Sequence, residues 1–133
     1  MAAKRDSRSF VYVIRIPILV ALSWAVLAIV AGSLGSPFTG VVLLTVHIVL
    51  VGVAGFLTTR RGQFGLWHAA LAGALVMLAE QVVVNCVAFI VAGQFTLAAE
   101  VVVSYAMTVW VAAVVAVLGG LAGKAVARAN AAI

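Results

Sequence analysis

The chain has 133 residues, of which 67% are hydrophobic and 8% are charged, and its net charge is +5. An ordinary soluble domain has about 25% charged residues, and a domain of this size has too little interior to hide two thirds of its residues from water. The composition therefore excludes a soluble globular protein. The basic residues fall into short clusters between long apolar runs, which is typical of the flanks of membrane helices and not of a nucleic-acid-binding surface.

The first predicted transmembrane helix runs from about residue 16 to residue 34, since about 20 mainly apolar residues are needed to cross a bilayer. Pro17 suits the opening turn of this helix, where a backbone N–H is not needed, and Pro37 follows its end. Residues 7–15, with the sequence SRSFVYVIR, have two interpretations. They form either a separate helix along the inner membrane surface or an extension of the first helix.

Three further segments are long and apolar enough to cross a bilayer. They run from about residue 39 to 59, from 66 to 92 and from 97 to 121, and the last is expected to finish at Gly123-Lys124. The intervening loops are only a few residues long, so consecutive helices should be antiparallel neighbours. The predicted fold is an all-α, integral membrane four-helix bundle in up-down-up-down order, with residues 1–133 forming a single membrane domain.

The basic residues orient these spans. With four spans, all eight lie on one side of the membrane: Lys4, Arg5, Arg8, Arg15, Arg60, Arg61, Lys124 and Arg128. Positively charged loops stay in the cytoplasm. We therefore expect a multi-pass protein of the inner (cytoplasmic) membrane with both termini in the cytoplasm.

Small residues at four-residue spacing predict where the helices pack, because helices in lipid associate through close backbone approach. Such lines lie on the fourth and third spans and comprise Ala112, Ala116 and Gly120, Gly119 and Gly123, and Ala69 and Gly73. They indicate either contacts within the bundle or an interface with another subunit.

Glu80 is the sharpest polar feature, because it lies within roughly 3 Å of the centre of the third span, where a carboxylate is expensive. Reflecting position 47 through the tight turn near Gly62 places His47 at almost the same depth. The hairpin should therefore bring His47 to Glu80 or to Gln81. The full predicted polar layer is Ser23, His47, Glu80, Gln81, Asn85 and Thr108, and a polar stripe of Glu100 and Ser104 leads to it along the fourth span.

Two interpretations of this layer stay open. An ionisable residue inside a membrane indicates a transport or proton-relay site. Polar side chains also serve as hydrogen-bonding glue between helices, and a protonated Glu can do the same. Glu100 lies close enough to the outer interface to be solvated.

No catalytic motif is visible, so we expect a protein that is not an enzyme and that has no cofactor. The sequence contains no nucleophile motif, no glycine-rich phosphate loop and no pair of catalytic carboxylates at a shared site. His47, His68, Met77 and Cys86 lack a recognised ligand spacing and lie at several depths, so no metal site is expected.

The stretch VGVAGFLTTRRGQFGLWHAALAGALV, residues 51–76, resembles the central hairpin of small uncharacterised bacterial four-helix integral membrane proteins. In those proteins a glycine-rich span ends in a basic turn, and a second span rich in Gly and Ala follows. The resemblance implies a bacterial inner-membrane protein and no particular activity.

Two functional hypotheses follow. The first is a channel or transporter that uses the polar layer to conduct protons, cations or a small solute. Because a single four-helix chain has little room for a pore of its own, several copies are expected to assemble as a homo-oligomer. The second is a non-catalytic accessory or scaffolding subunit, in which the same polar residues lock the helices together and the small-residue faces dock a membrane protein partner.

Overall fold

A computed structural model describes residues 7–33, 39–61, 64–93 and 99–132. The described chain is all-α, as predicted. Its four helices are α1 (Ser7–Ser33), α2 (Thr39–Arg60), α3 (Leu66–Ala92) and α4 (Ala99–Ala131). The predicted turn at Pro37 and the basic residues Lys4 and Arg5 lie outside the described residues.

Helix α1 begins earlier than the predicted first span and is continuous through Pro17. The prediction that Pro17 lies in the opening turn is therefore wrong, and residues 7–15 extend this helix rather than forming a separate surface helix. Proline inside a helix removes one backbone hydrogen bond. Packing against neighbouring helices can compensate for this loss, and Pro17 is buried.

Helix α4 continues to Ala131, well beyond the predicted end at Gly123-Lys124. The glycines there do not stop the helix, because they provide close packing instead of a left-handed cap, and the alanine-rich tail that follows favours helix. A left-handed cap does end α3 where predicted: Gly93 has a φ of 64°, and its N–H donates to the carbonyl of Phe89 at 2.9 Å. Glycine adopts this conformation without strain.

Three of the helices are long and apolar enough to cross a membrane. The qualifying segments are Phe10–Ala31, Leu66–Val91 and Val102–Ala131, and α2 contributes a shorter apolar segment, Leu44–Arg60. Large apolar side chains cover the outside of the helices, as expected for a surface that faces hydrocarbon; Val41, Ile90 and Val91 are each about 80% exposed.

Helices α2, α3 and α4 pack closely along the predicted small-residue lines. A Cβ atom added to Gly73 would lie 2.7 Å from the carbonyl oxygen of Ala112 and 2.5 Å from the Cβ of Ala116. One added to Gly119 would overlap the carbonyl oxygen of Gly52. Gly120 faces Ala69 and Thr59, and Gly123 faces Thr59 and Phe56. These lines therefore make contacts within one chain. Helix α1 packs on α2 and α3.

An aromatic cluster joins the start of α1 to the turn between α2 and α3. The Phe10 and Phe64 rings pack edge to face with centroids 5.5 Å apart, and the His68 ring lies 5.0 Å from Phe64 and 5.5 Å from Phe10. Such aromatic pairs contribute beyond their area burial. The cluster fixes the basic end of α1 beside the basic turn that contains Arg60 and Arg61.

A hydrogen bond between helices closes the same end of the bundle. The Thr59 hydroxyl makes its shortest hydrogen bond to the carbonyl oxygen of Gly120, at 2.9 Å, with the carbonyls of Phe56 and Gly55 in its own helix farther away, at 3.2 and 3.4 Å. The neighbouring Thr58 hydroxyl donates only within its own helix, to Ala54, at 2.7 Å. Both threonines are buried. The pair therefore allows an interhelical bond to be compared with an intrahelical one at matched depth.

We expect Thr59→Val to lower the free energy of unfolding by about 1 kcal/mol, because hydrogen bonds between membrane helices contribute about 0.6 kcal/mol on average and at most about 1.7 kcal/mol. Thr58→Val, which removes only a bond within α2, should change it by less than half as much. Unfolding by SDS in mixed micelles, followed by circular dichroism, measures both. Equal losses in the two variants would contradict the interhelical role of Thr59.

Candidate functional site

Glu80 lies at the middle of the apolar segment Leu66–Val91 and is only 2% exposed. It is among the largest fully buried side chains in the described chain. Helix α3 is a continuous helix on both sides of this residue, so the carboxyl group is carried at a fixed depth by a rigid element. A carboxylate without solvent needs a partner or a proton, because an unpaired charge in an apolar surrounding is very costly.

His47 on α2 supplies the partner. Its Nε2 lies at ion-pair distance from Oε2 of Glu80, so the contact that the depth argument predicts is present. The same Nε2 is 2.9 Å from Sδ of Met77, one turn before Glu80 on α3. Thioether sulfur and carboxylate oxygen are both acceptors, so the environment favours a proton on Nε2 unless Glu80 itself carries it. One proton can thus lie on either side chain of the pair.

The pair lies on the wall of a cleft of about 410 Å³. Its lining comes from all four helices: Trp24, Ala25, Ala28 and Ile29 from α1, Leu44 and His47 from α2, Met77, Glu80, Gln81 and Val84 from α3, and Thr108 from α4. A second, smaller cavity of about 70 Å³ is lined by residues of α2, α3 and α4 and shares Leu44, His47, Met77 and Thr108 with the cleft. The His47 side chain therefore lines both spaces.

Gln81 joins the cleft, but Asn85 makes a different contact. The Asn85 side chain accepts a hydrogen bond from the Tyr105 hydroxyl on α4 at 2.9 Å and donates to the backbone carbonyl of Gln81 at 2.7 Å. Asn85 thus joins α3 to α4 and, of the two interpretations of the polar layer, matches hydrogen-bonding glue. The sequence interpretation missed Tyr105, whose aromatic ring at this depth gave no sign of its partner.

Of the other polar residues that the sequence predicts for this layer and its stripe, one lines the cleft and two are exposed. Thr108 lines the cleft, and its hydroxyl donates to the backbone carbonyl of Ser104 at 2.7 Å. Ser23 is exposed, and its hydroxyl donates to the carbonyl of Leu19 at 2.9 Å, so it stands apart from the cluster. Ser104 is also exposed, and the side chain of Glu100 lies outside the described part of the chain.

Two buried polar groups on the cleft lack a hydrogen-bond partner among the described residues. They are the indole Nε1 of Trp24 and the Oε1 of Glu80; Oε2 of Glu80 also accepts no hydrogen bond and has only its ion-pair contact with His47. Buried donors and acceptors are rarely left unsatisfied in native proteins, so these two atoms point to something that fills the cleft, whether water or a ligand.

This arrangement can hold a proton or a cation near the middle of α3. A single carboxylate with an adjacent imidazole can exchange a proton without a change in the net charge of the pair. Within the described residues, no three His, Cys, Asp or Glu side chains come together as a metal site would require. Comparison with known proteins adds no relative: no family model, curated protein or solved structure matches the chain significantly.

Proposed function

We propose that the chain is a multi-pass protein of the inner (cytoplasmic) membrane with both termini in the cytoplasm. The long apolar helices support insertion. The contact between Phe10 and Phe64, and that between Thr59 and Gly120, bring the basic ends of the helices together. The positive-inside rule then orients that end toward the cytoplasm.

The arrangement proposed for the helices is an up-down-up-down bundle. Contacts between α2 and α3 pair position 47 with 80 and position 58 with 64, so the residue numbers run in opposite directions. Those between α3 and α4 pair 69 with 120 and 85 with 105 in the same manner. These two consecutive pairs are therefore consistent with antiparallel neighbours.

We further propose that the protein transports protons, cations or a small solute, with Glu80 and His47 as the transport site. The observation that carries this proposal is a carboxyl group that is 2% exposed, lies at the centre of its helix and faces a cleft together with one imidazole. Ionisable side chains are rare at this depth, and in membrane proteins they mark ion and substrate pathways.

A transporter fits the packing better than a permanently open channel. Between Glu80 and the basic end, the helices are filled by small side chains that are at most 2% exposed: Val51, Ala54, Ala72, Val76 and Ala116. Cores of this density do not let solutes through without rearrangement. Passage to the cytoplasmic side therefore requires helix movement, and we propose that several copies assemble to support it, as a homo-oligomer.

The accessory-subunit alternative has less support. It requires the small-residue faces to dock a partner, but Gly73, Gly119, Gly120 and Gly123 already contact neighbouring helices of the same chain. If the purified protein transports no solute, the accessory role becomes the favoured interpretation.

Flux through proteoliposomes tests the proposal. With a pH-sensitive dye inside the vesicles and an imposed potential or cation gradient, the native protein should move protons or cations, and Glu80→Gln should lower the rate at least about tenfold, because the amide cannot exchange a proton or hold a charge. Thr45→Val is the matched control, since its hydroxyl is exposed and bonded within its own helix. Unchanged flux in a folded Glu80→Gln variant, or no flux of protons, cations or an added small solute in the native protein, would refute the proposal.

A further inference from the structure

The cleft beside Glu80 has the size and lining of a site for a small organic molecule. Its volume of about 410 Å³ lies in the range of small-molecule pockets, which are mainly apolar with a few placed polar groups. Ala25, Ala28, Ile29, Leu44 and Val84 supply apolar walls. A solute as small as a metal ion or a proton would leave most of this apolar surface uncovered.

The unpartnered polar atoms define what such a molecule must present. Glu80 Oε1 is an acceptor that needs a donor, and Trp24 Nε1 is a donor that needs an acceptor. A carboxylate with a free oxygen repels anions and attracts cations, and its interaction with an N⁺–H donor is about twice as strong as a neutral hydrogen bond. The aromatic face of Trp24 is also favourable for a cation.

We propose that the cleft binds a small, mostly apolar molecule that carries one protonated amine, with the ammonium on Glu80 and an acceptor at its other end on the Trp24 N–H. This inference rests on the proposed function, because it names the class of solute that the transporter carries. The binding step is nevertheless measurable without any flux.

The buried site must also stay electrically neutral when an ammonium group binds. We take the His47 and Glu80 pair as neutral, with one proton that lies on either the imidazole or the carboxyl group. An entering ammonium leaves the buried site neutral only if that proton departs and Glu80 stays as carboxylate beside a neutral His47. Because an uncompensated charge in this surrounding is costly, binding should release about one proton per ligand.

Tryptophan fluorescence can report occupancy of the cleft directly. Trp67 and Trp110 are 80% and 69% exposed, so replacing both by phenylalanine leaves Trp24 as the single reporter with little structural change. Three probes share one quenching nitroarene and differ in a single group: para-nitrobenzylammonium, para-nitrobenzyl alcohol and para-nitrophenylacetate. Their nitro group also supplies the acceptor for the Trp24 N–H.

In lipid nanodiscs we expect saturable quenching by the ammonium, with an affinity at least about tenfold higher than that of the alcohol, and no saturable quenching by the anion. The Glu80→Gln substitution should reduce this preference to within about twofold, while Glu80→Asp, which keeps the charge, retains part of it. In weak buffer, a pH indicator should register proton release with the ammonium and none with the alcohol. Thr45→Val should behave as the reporter protein does.

Equal affinities for ammonium and alcohol, quenching that never saturates, or binding without proton release would each overturn the inference. Circular dichroism and size-exclusion profiles show whether each variant is folded. If Glu80→Gln does not fold, Glu80→Asp still tests whether ammonium binding depends on this carboxylate. Proton flux that depends on Glu80, without saturable ammonium binding, would leave the transporter proposal standing and refute the amine site. Ammonium binding without any flux would do the opposite.

Discussion

Replacing Gly55 by alanine should force α2 and α4 apart and lower the free energy of unfolding by about 3 kcal/mol or more. A Cβ atom at this position would overlap the carbonyl oxygen of Ala116 and would lie 2.6 Å from its carbonyl carbon. A side chain in the way could change rotamer, but backbone can yield only if a whole helix moves. Ala116 is also fully buried, so that movement would open the centre of the bundle.

Gly52→Ala provides a matched control one turn earlier on the same helix. A Cβ atom there would meet only Cγ1 of Val115, at 4.0 Å, which is ordinary van der Waals contact. Both substitutions exchange glycine for alanine inside a helix and bring the same gain in helix propensity, about 1 kcal/mol. Gly52→Ala should therefore be neutral or stabilising.

Unfolding by SDS in mixed micelles, monitored by circular dichroism, would give both free energies. The difference between the variants isolates the contact between α2 and α4, because propensity cancels. Equal stability of Gly55→Ala and Gly52→Ala would show that the helices do not approach each other at Gly55 and would contradict the packing described above.

Hydropathy predicts the helices of this protein well where a loop of a few residues divides two apolar runs. The predicted limits of α2 and α3 agree with the structure to within a residue. Hydropathy does not predict the helix ends correctly where a helix continues beyond the apolar segment. The start of α1 and the end of α4 extend into segments that contain charged residues, and there helix propensity and packing decide, not hydrophobicity.

The sequence predicts how far along their helices the residues of the candidate site lie, but it does not predict which way their side chains point. Only five residues separate α2 from α3, so if the two helices are antiparallel neighbours, counting residues is enough to bring His47 level with Glu80. Helices that are apolar all round show no preferred face, and the sequence therefore cannot tell which side chains turn inward. For that reason Trp24 and Tyr105 were missed, whereas Ser23 was assigned to a layer from which it points away.

Replacing His47 by leucine should destabilise the protein by about 3 kcal/mol, whereas replacing His47 and Glu80 together by leucine should restore most of that loss. Removal of one partner of a buried pair leaves the other uncompensated, which costs about 3–5 kcal/mol, while apolar replacement of both is often neutral or stabilising. Protonation of Glu80 reduces the penalty but leaves a buried hydroxyl without its acceptor. The structure offers Glu80 no second partner among the described residues.

A double-mutant cycle separates this coupling from simple loss of packing. The singles His47→Leu and Glu80→Leu and the double variant should give an interaction energy of at least about 1 kcal/mol, since directly contacting residues are not additive. Met77→Leu controls for the contact between His47 and the thioether, and this volume-conserving change should cost less than about 1.5 kcal/mol. Additive losses in the cycle would show that His47 and Glu80 are independent and would refute the pair.

The double leucine variant also separates stability from transport. If the pair served only to hold α2 and α3 together, a stable double variant would keep whatever flux the native protein has. If the pair is the transport site, the same variant should be at least as well folded as either single one and yet inactive in proteoliposomes, because its cleft no longer contains a group that can carry a proton or bind a cation. A folded bundle without flux is thus the outcome that assigns His47 and Glu80 to transport.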